Sequence, residues 1–386
     1  MAESVHVNFP KQNVSDAEKD SLEYGRKVAK AIHAEWFHKD ANISRYTTNL
    51  NNFHKLRLYA RGEQSIQKYK DELSINGDLS YLNLDWTPVP IIPKFVDIVV
   101  NGIAERTYDI KAFSIDASGS EERNNFIDSI SGDMQMREFD NLMMQQLGMD
   151  TSRSNVRELP GSQEELQLYM QLEYKQAIEI AEEQAINVLL EGNNYELIKK
   201  RLFYDLAVLG IGASKTSFNP SDGLKVEYVD PANMVYSYTD SPIFDDIYYV
   251  GEVKSITINE LVRDFPNLSE EDIEEILSKN TKNKNYRYRG SRSDRDRNVI
   301  EVLYFNYKTY NSEVYKIKTT GTGGQKAIRK TDAFNPPSDM NGEYTKASKK
   351  IEVLYEGVYL LGCDKLLRWG LCKNMVRSKS DFNKVK

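Results

Sequence analysis

Two rhythms run through the chain. In long stretches apolar residues recur every three or four positions, and in shorter ones every second position, so helices and strands can be marked out. From Ala17 to Phe37 a helix is expected, with Leu22, Val28, Ala29, Ile32 and Trp36 on one face. A second helical stretch passes through Phe53, Leu56, Leu58 and Tyr59. Leu82 to Trp86 reads as extended and leads into Pro88, Pro90 and Pro93. Pro93 suits the first turn of a helix, where its missing N–H has no partner to lose. Phe95, Val96, Val99, Val100 and Ile103 carry that helix on. Tyr108 to Ile115 alternates like a strand, and Glu121 to Leu147 is a Met-rich helical pattern. A polar linker over 148–163 precedes what should be the longest helix, Glu164 to Leu190, closed by Gly192. Tyr195 to Leu209 is a shorter one.

The most ordered run of signals spans residues 205–266. A helix ends at Gly210 and Gly212, and strands follow around Gly223–Pro231 and Ile247–Lys254. Thr257 and Glu260 then have capping-box spacing, and Pro266 stops the helix they start. Ser269 before Glu270, Glu271 and Asp272 is another helix start, with acids placed to suit the dipole. Later strands are expected at Val299–Tyr307, Val314–Lys318 and Ile351–Leu361, with a glycine turn at Gly321–Gly324. The last stretch is basic: Lys365, Arg368, Lys373, Arg377, Lys379, Lys384 and Lys386 against Asp364 and Asp381. The fold class is therefore α+β, with small antiparallel sheets.

Composition narrows the function. The 386 residues allow two or three domains. A formal net charge of -7 excludes a protein that coats nucleic acid with its whole surface, so any contact with DNA must be local. The best local candidate is the segment 282–297. It holds Lys282, Lys284, Arg287, Arg289, Arg292, Arg295 and Arg297 against Asp294 and Asp296, with Tyr286 and Tyr288 interleaved. Those tyrosines could stack on bases or on neighbouring chains; a solvated loop is the plainer alternative. The 24 tyrosines of the chain suit interfaces as well as cores. Cys363 and Cys372 form no Cys-x-x-Cys pair and read as reduced thiols. The longest apolar cluster, Ile91 to Val100, is broken by Pro93, Lys94 and Asp97, so no membrane segment is expected.

No catalytic, cofactor or metal site is expected. Gly210-Ile-Gly212-Ala-Ser-Lys215-Thr216 lacks the glycine that a phosphate loop needs before its Lys-Thr, and it follows a helix rather than a strand. His33 and His38 are five apart, where a zinc-binding helix needs four. Asp116 to Ser120 lacks the glycine of a calcium loop at the required place.

Four segments, taken in order, resemble tailed-bacteriophage portal proteins, most of all those of crAss-like podoviruses. They are Tyr59-Ala-Arg-Gly-Glu-Gln-Ser-Ile66, Val89-Pro-Ile-Ile-Pro-Lys-Phe-Val-Asp-Ile-Val-Val-Asn-Gly-Ile103, helix 164–190 with Asp205-Leu-Ala-Val-Leu-Gly-Ile-Gly212, and Tyr228-Val-Asp-Pro231 through Phe265-Pro266. The resemblance covers about residues 50–310. It implies a dodecameric ring at one capsid vertex of the virion, assembled in the host bacterial cytoplasm. Through such a ring double-stranded DNA passes without sequence preference, and major capsid protein, terminase and tail or head-tail connector proteins dock on it. It implies a helical N-terminal arm over 1–50, a wing-like α+β domain over 51–255, the start of a stem at 256–280, and a β-rich, clip-like region with the basic loop over 281–386. Portals then continue with a returning stem helix and a long wing helix. The residues up to Lys386 offer no counterpart, so either the chain is the first part of a longer one or its match to the portal order is shifted. No catalytic residues follow from the resemblance. Two alternatives stand beside it: an accessory virion protein that binds nucleic acid through 282–297, and a nucleotide-binding enzyme built on Gly210–Thr216.

Overall fold

The computed structural model describes residues 9–38, 44–63, 66–74, 85, 89–106, 108–114, 117–148, 159–172, 174–219, 223–282, 299–319, 325–331, 334–335 and 344–372. In chain order the elements are α1 (Asp16–Lys19), α2 (Leu22–Phe37), α3 (Arg45–Ala60), α4 (Gln67–Leu73), α5 (Ile91–Ala104), α6 (Ala117–Leu147), α7 (Gln163–Leu172), α8 (Ala177–Gly192) and α9 (Tyr195–Leu209). Then come β1 (Ala213–Asn219), β2 (Gly223–Val229), β3 (Met234–Tyr236), β4 (Tyr249–Thr257), α10 (Ile258–Asp264) and α11 (Glu270–Lys282). The last are β5 (Val299–Thr319), β6 (Gln325–Lys330), β7 (Tyr344–Leu360) and β8 (Lys365–Leu371). This is an α+β protein with antiparallel sheets. It divides into two compact units, residues 1–99 with 202–218 and 228–386, and residues 100–201 with 219–227.

The first unit is built on a six-stranded sheet, ordered β3-β4-β5-β7-β8, with β6 added to the outer part of β5. Strand alternation gives β5 two different faces. Leu303, Phe305 and Tyr307 point into a core with Tyr24, Val28, Ile32 and Trp36 of α2 and with Tyr249, Tyr355 and Trp369. Ile300 and Val302 point the other way, to Leu261 of α10, Ile276 of α11, Val358 and Leu360. The inner half of the sheet is therefore covered on both sides, by α2 on one face and by α10 and α11 on the other, with a separate apolar cluster on each.

Two glycines permit the close approaches. A Cβ on Gly25 would lie 2.4 Å from the Trp369 ring, so only glycine lets α2 settle on β8. A Cβ on Gly357 would lie 2.4 Å from the Phe305 ring directly across the ladder. Both buried indoles also satisfy their N–H groups, as burial requires. Trp36 donates to the Tyr249 hydroxyl at 2.9 Å, and Trp369 donates to the Lys19 carbonyl at 2.7 Å.

The expected bounds of the chain's regions run through this core. α2, from the expected arm, packs with β7 and β8 of the expected clip-like region, and β4 pairs with β5 across the expected stem. The two strands expected at 299–307 and 314–318 are one strand of 21 residues, because β7 pairs with it without interruption from Val302 to Lys318. β3, β6 and β8 were not expected.

The second unit is mostly helical and corrects two expectations. The helix expected over 164–190 is two helices, α7 and α8. Gln176 starts the second with a capping box to Glu179, and that start signal lies inside the apolar run. The strand expected at 108–115 is extended but has no strand partner over its described residues 108–114. Its backbone bonds to carboxylates of α8 instead: Ala112 N–H to Glu183 at 3.0 Å and Ser114 N–H to Glu179 at 2.9 Å. The spacing explains the fit. Two residues of extended chain advance about 6.6 Å and four residues of helix about 6 Å. Glu179 is buried and also receives Arg123 at 2.6 Å, and these donors hold its carboxyl below the usual range against the desolvation that raises it.

Candidate functional site

Of the basic-loop candidates, Lys282 closes α11, and Lys284, Arg287, Arg289, Arg292, Arg295 and Arg297 lie outside the described residues. The Gly210 turn is a helix end: Gly210 takes a φ of +77°, which favours glycine, and β1 follows. Lys215 sits within β1, 3.8 Å from the Glu252 carboxylate, and points over the Tyr304 ring rather than toward a loop of backbone N–H groups. His33 packs on Phe37 and Tyr359, and its burial pushes the imidazole pKa down. Among the described residues no group of three His, Cys, Asp or Glu side chains could hold a metal ion. Among them, too, no helix is long and apolar enough to cross a membrane. Cys363 is buried with its thiol directed at the Ile276 carbonyl, and desolvation raises its pKa.

Several of the segments singled out in the sequence meet at one ionic clamp in the first unit. Arg57 of α3 grips Asp230 with both terminal nitrogens, at 3.0 and 2.7 Å, and reaches Asp205 of α9 at 3.2 Å. The Tyr228 hydroxyl donates to the other oxygen of Asp205. Desolvation first, then this bond, raises the Tyr228 pKa. Asp230 also caps the 3-10 turn Pro231–Asn233 through the Ala232 N–H at 3.0 Å. The Val-Asp-Pro signal is thus a cap whose carboxylate also joins three distant pieces of chain. A bidentate, half-buried pair of this kind positions segments.

Two surfaces remain that local folding does not explain. The first is α5, where only Lys94, Asp97 and Asn101 are polar outside the glycine and proline. A helix apolar on nearly every side is normally buried. Here Phe95 is 61% and Ile98 58% exposed, and Ile91, Ile92 and Val99 are exposed too, while Val100 is buried.

The second is the outer half of the sheet, where β5 runs between β6 and β7. Direct Cα partners share a face, so the register sorts the side chains. One face carries Lys308, Lys316 and Lys318 of β5, Lys326 and Lys330 of β6, and Lys346 and Lys350 of β7. The opposite face carries Arg329 and Lys349 with Glu313. The sequence analysis assigned these lysines no role. Their even spacing was the available signal, but the pairing that gathers them was not.

No family model matches the chain, and no curated protein matches it.

Proposed function

We propose that this chain is a subunit of a portal-like ring at the capsid vertex of a tailed bacteriophage. It would serve as a structural conduit for double-stranded DNA, with terminase, major capsid protein and tail or connector proteins as its docking partners. The observation that carries the reading is α5. Most of its apolar side chains are exposed among the described residues, and removing them from water is worth about 1.5–3 kcal/mol each. Neighbouring copies related by rotation provide that cover, each presenting one face to the next. The order of segments that resembles portal proteins supports the same reading, and two of those segments, through Asp205 and Asp230, meet at the Arg57 clamp.

The test is the assembly state of the full chain. Mass photometry and negative-stain images should show rings with a central hole. Phe95→Glu with Ile98→Glu should abolish them while leaving the circular dichroism spectrum unchanged. Monodisperse monomers at assembly concentrations would overturn the ring. A second reading, an accessory virion protein that binds nucleic acid, is favoured by the lysine face of the outer sheet and would then stand in its place.

A further inference from the structure

We infer that the lysine face of the outer β5–β6–β7 sheet is a docking surface for the phosphate backbone of duplex nucleic acid, read by charge and not by base. The inference goes beyond the ring and does not depend on it.

The face gathers seven lysines against one carboxylate, Glu352, which Lys308 holds at 3.3 Å. In a chain of net charge -7, this is a concentration of the opposite sign. Among the described residues, none of the other six lysines of the face has a carboxylate within ion-pair reach. Lys346 instead donates to the Asn335 side chain at 3.1 Å, and Lys316 and Lys318 lie over the Tyr344 ring at 3.8 and 5.6 Å. The Tyr344 ring thus gathers two ammonium groups on one side of the sheet.

The arrangement opposes like charges. Lys316 faces Lys346 and Lys318 faces Lys326 across the ladder. Directly opposed like charges destabilise a sheet. A polyanion laid over the face turns that cost into attraction, and a solvated strand arm has no use for it. The geometry fits a duplex. Lys316 and Lys346, like Lys318 and Lys326, are about 5 Å apart across strands; along the strands the spacing is about 7 Å for Lys316–Lys318 and about 14 Å for Lys326–Lys330 and Lys346–Lys350. From Lys308 to Lys318 the strand runs roughly 34 Å, about one turn of B-DNA. Lysine is a compact point charge without the planar fork of arginine, which suits contacts that carry no sequence information.

The opposite face supplies the internal control. Lys318→Gln with Lys346→Gln removes two charges from the lysine face; Arg329→Gln with Lys349→Gln removes two from the other. Binding of a fluorescein-labelled 30-base-pair DNA duplex to the full chain is read by anisotropy between 50 and 200 mM salt. With six free lysines engaged, log K should fall with log salt at a slope of about -5. The lysine-face variant should lose at least tenfold in affinity at the lowest salt and reduce the slope by about 2. The control variant should stay within twofold, and duplexes of scrambled sequence should bind alike. Equal losses in the two variants would reduce the effect to net charge and overturn the assignment to this face. So would absence of binding at 50 mM salt. Displacement of the duplex by polyglutamate at lower concentration than by unlabelled DNA would assign the face to an acidic protein instead. A protein that forms rings without binding duplex would overturn this inference alone, and one that binds duplex as a monomer would overturn the ring alone.

Discussion

The inner and outer halves of the β5–β7 ladder share one backbone and one unbroken register, yet they do opposite things with their side chains. At the inner end Leu303, Phe305 and Tyr307 face α2, and Ile300 and Val302 face α10 and α11. At the outer end the second of those faces continues as Lys308, Lys316 and Lys318, with further lysines beside them. The period of two is the same throughout. What changes is the content of each position, from groups that leave water to groups that stay in it. Pairing fixes which residues stand together; helical cover decides whether they form a core or a surface.

The comparison breaks most visibly at the inner end. Trp369→Ala removes a ring stacked on Tyr355 at 5.1 Å and packed against Gly25. A loss of about 3–5 kcal/mol is expected, checked by the urea midpoint of the full chain. A loss below 1 kcal/mol would mean that α2 does not depend on β8. Gly357→Ala should cost about 1–3 kcal/mol, since its Cβ meets the Phe305 ring in a filled core. The same measurement serves, and a neutral result would show that the inner ladder can part without penalty. The smallest effect belongs to the outer end. Lys346→Glu places opposite charges across from each other at Lys316, and stability should change by no more than about 0.5 kcal/mol, in the favourable direction. A large loss there would mean that the lysine face is structural after all.

Much of the fold could be read from local signals. The capping box at Thr257 and Glu260, the N-cap at Ser269, the helix over 195–209 and the turn at Gly210 are all present, because each is decided within a few residues. Features decided at a distance were not legible. The extended segment 108–114 alternates like a strand, but its partners are two glutamates on a helix about seventy residues later. β8 holds Trp369, whose role depends on Gly25 and Tyr355, and a basic composition hid it. The charged surface followed the same rule. The run of cations at 282–297 was conspicuous because it is contiguous, whereas the lysines of the outer sheet come from three strands and meet only through their register.

The bond from Trp369 to the Lys19 carbonyl closes a loop of 350 residues. The apolar stripe of α2 therefore has to wait for the strand that seals it. At roughly 5–20 residues per second, a ribosome needs about 20–70 s to deliver that strand after α2 is made. During that interval Val28, Ile32 and Trp36 lack the strand that seals them, so the N-terminal helix spends most of synthesis as an unfinished apolar face.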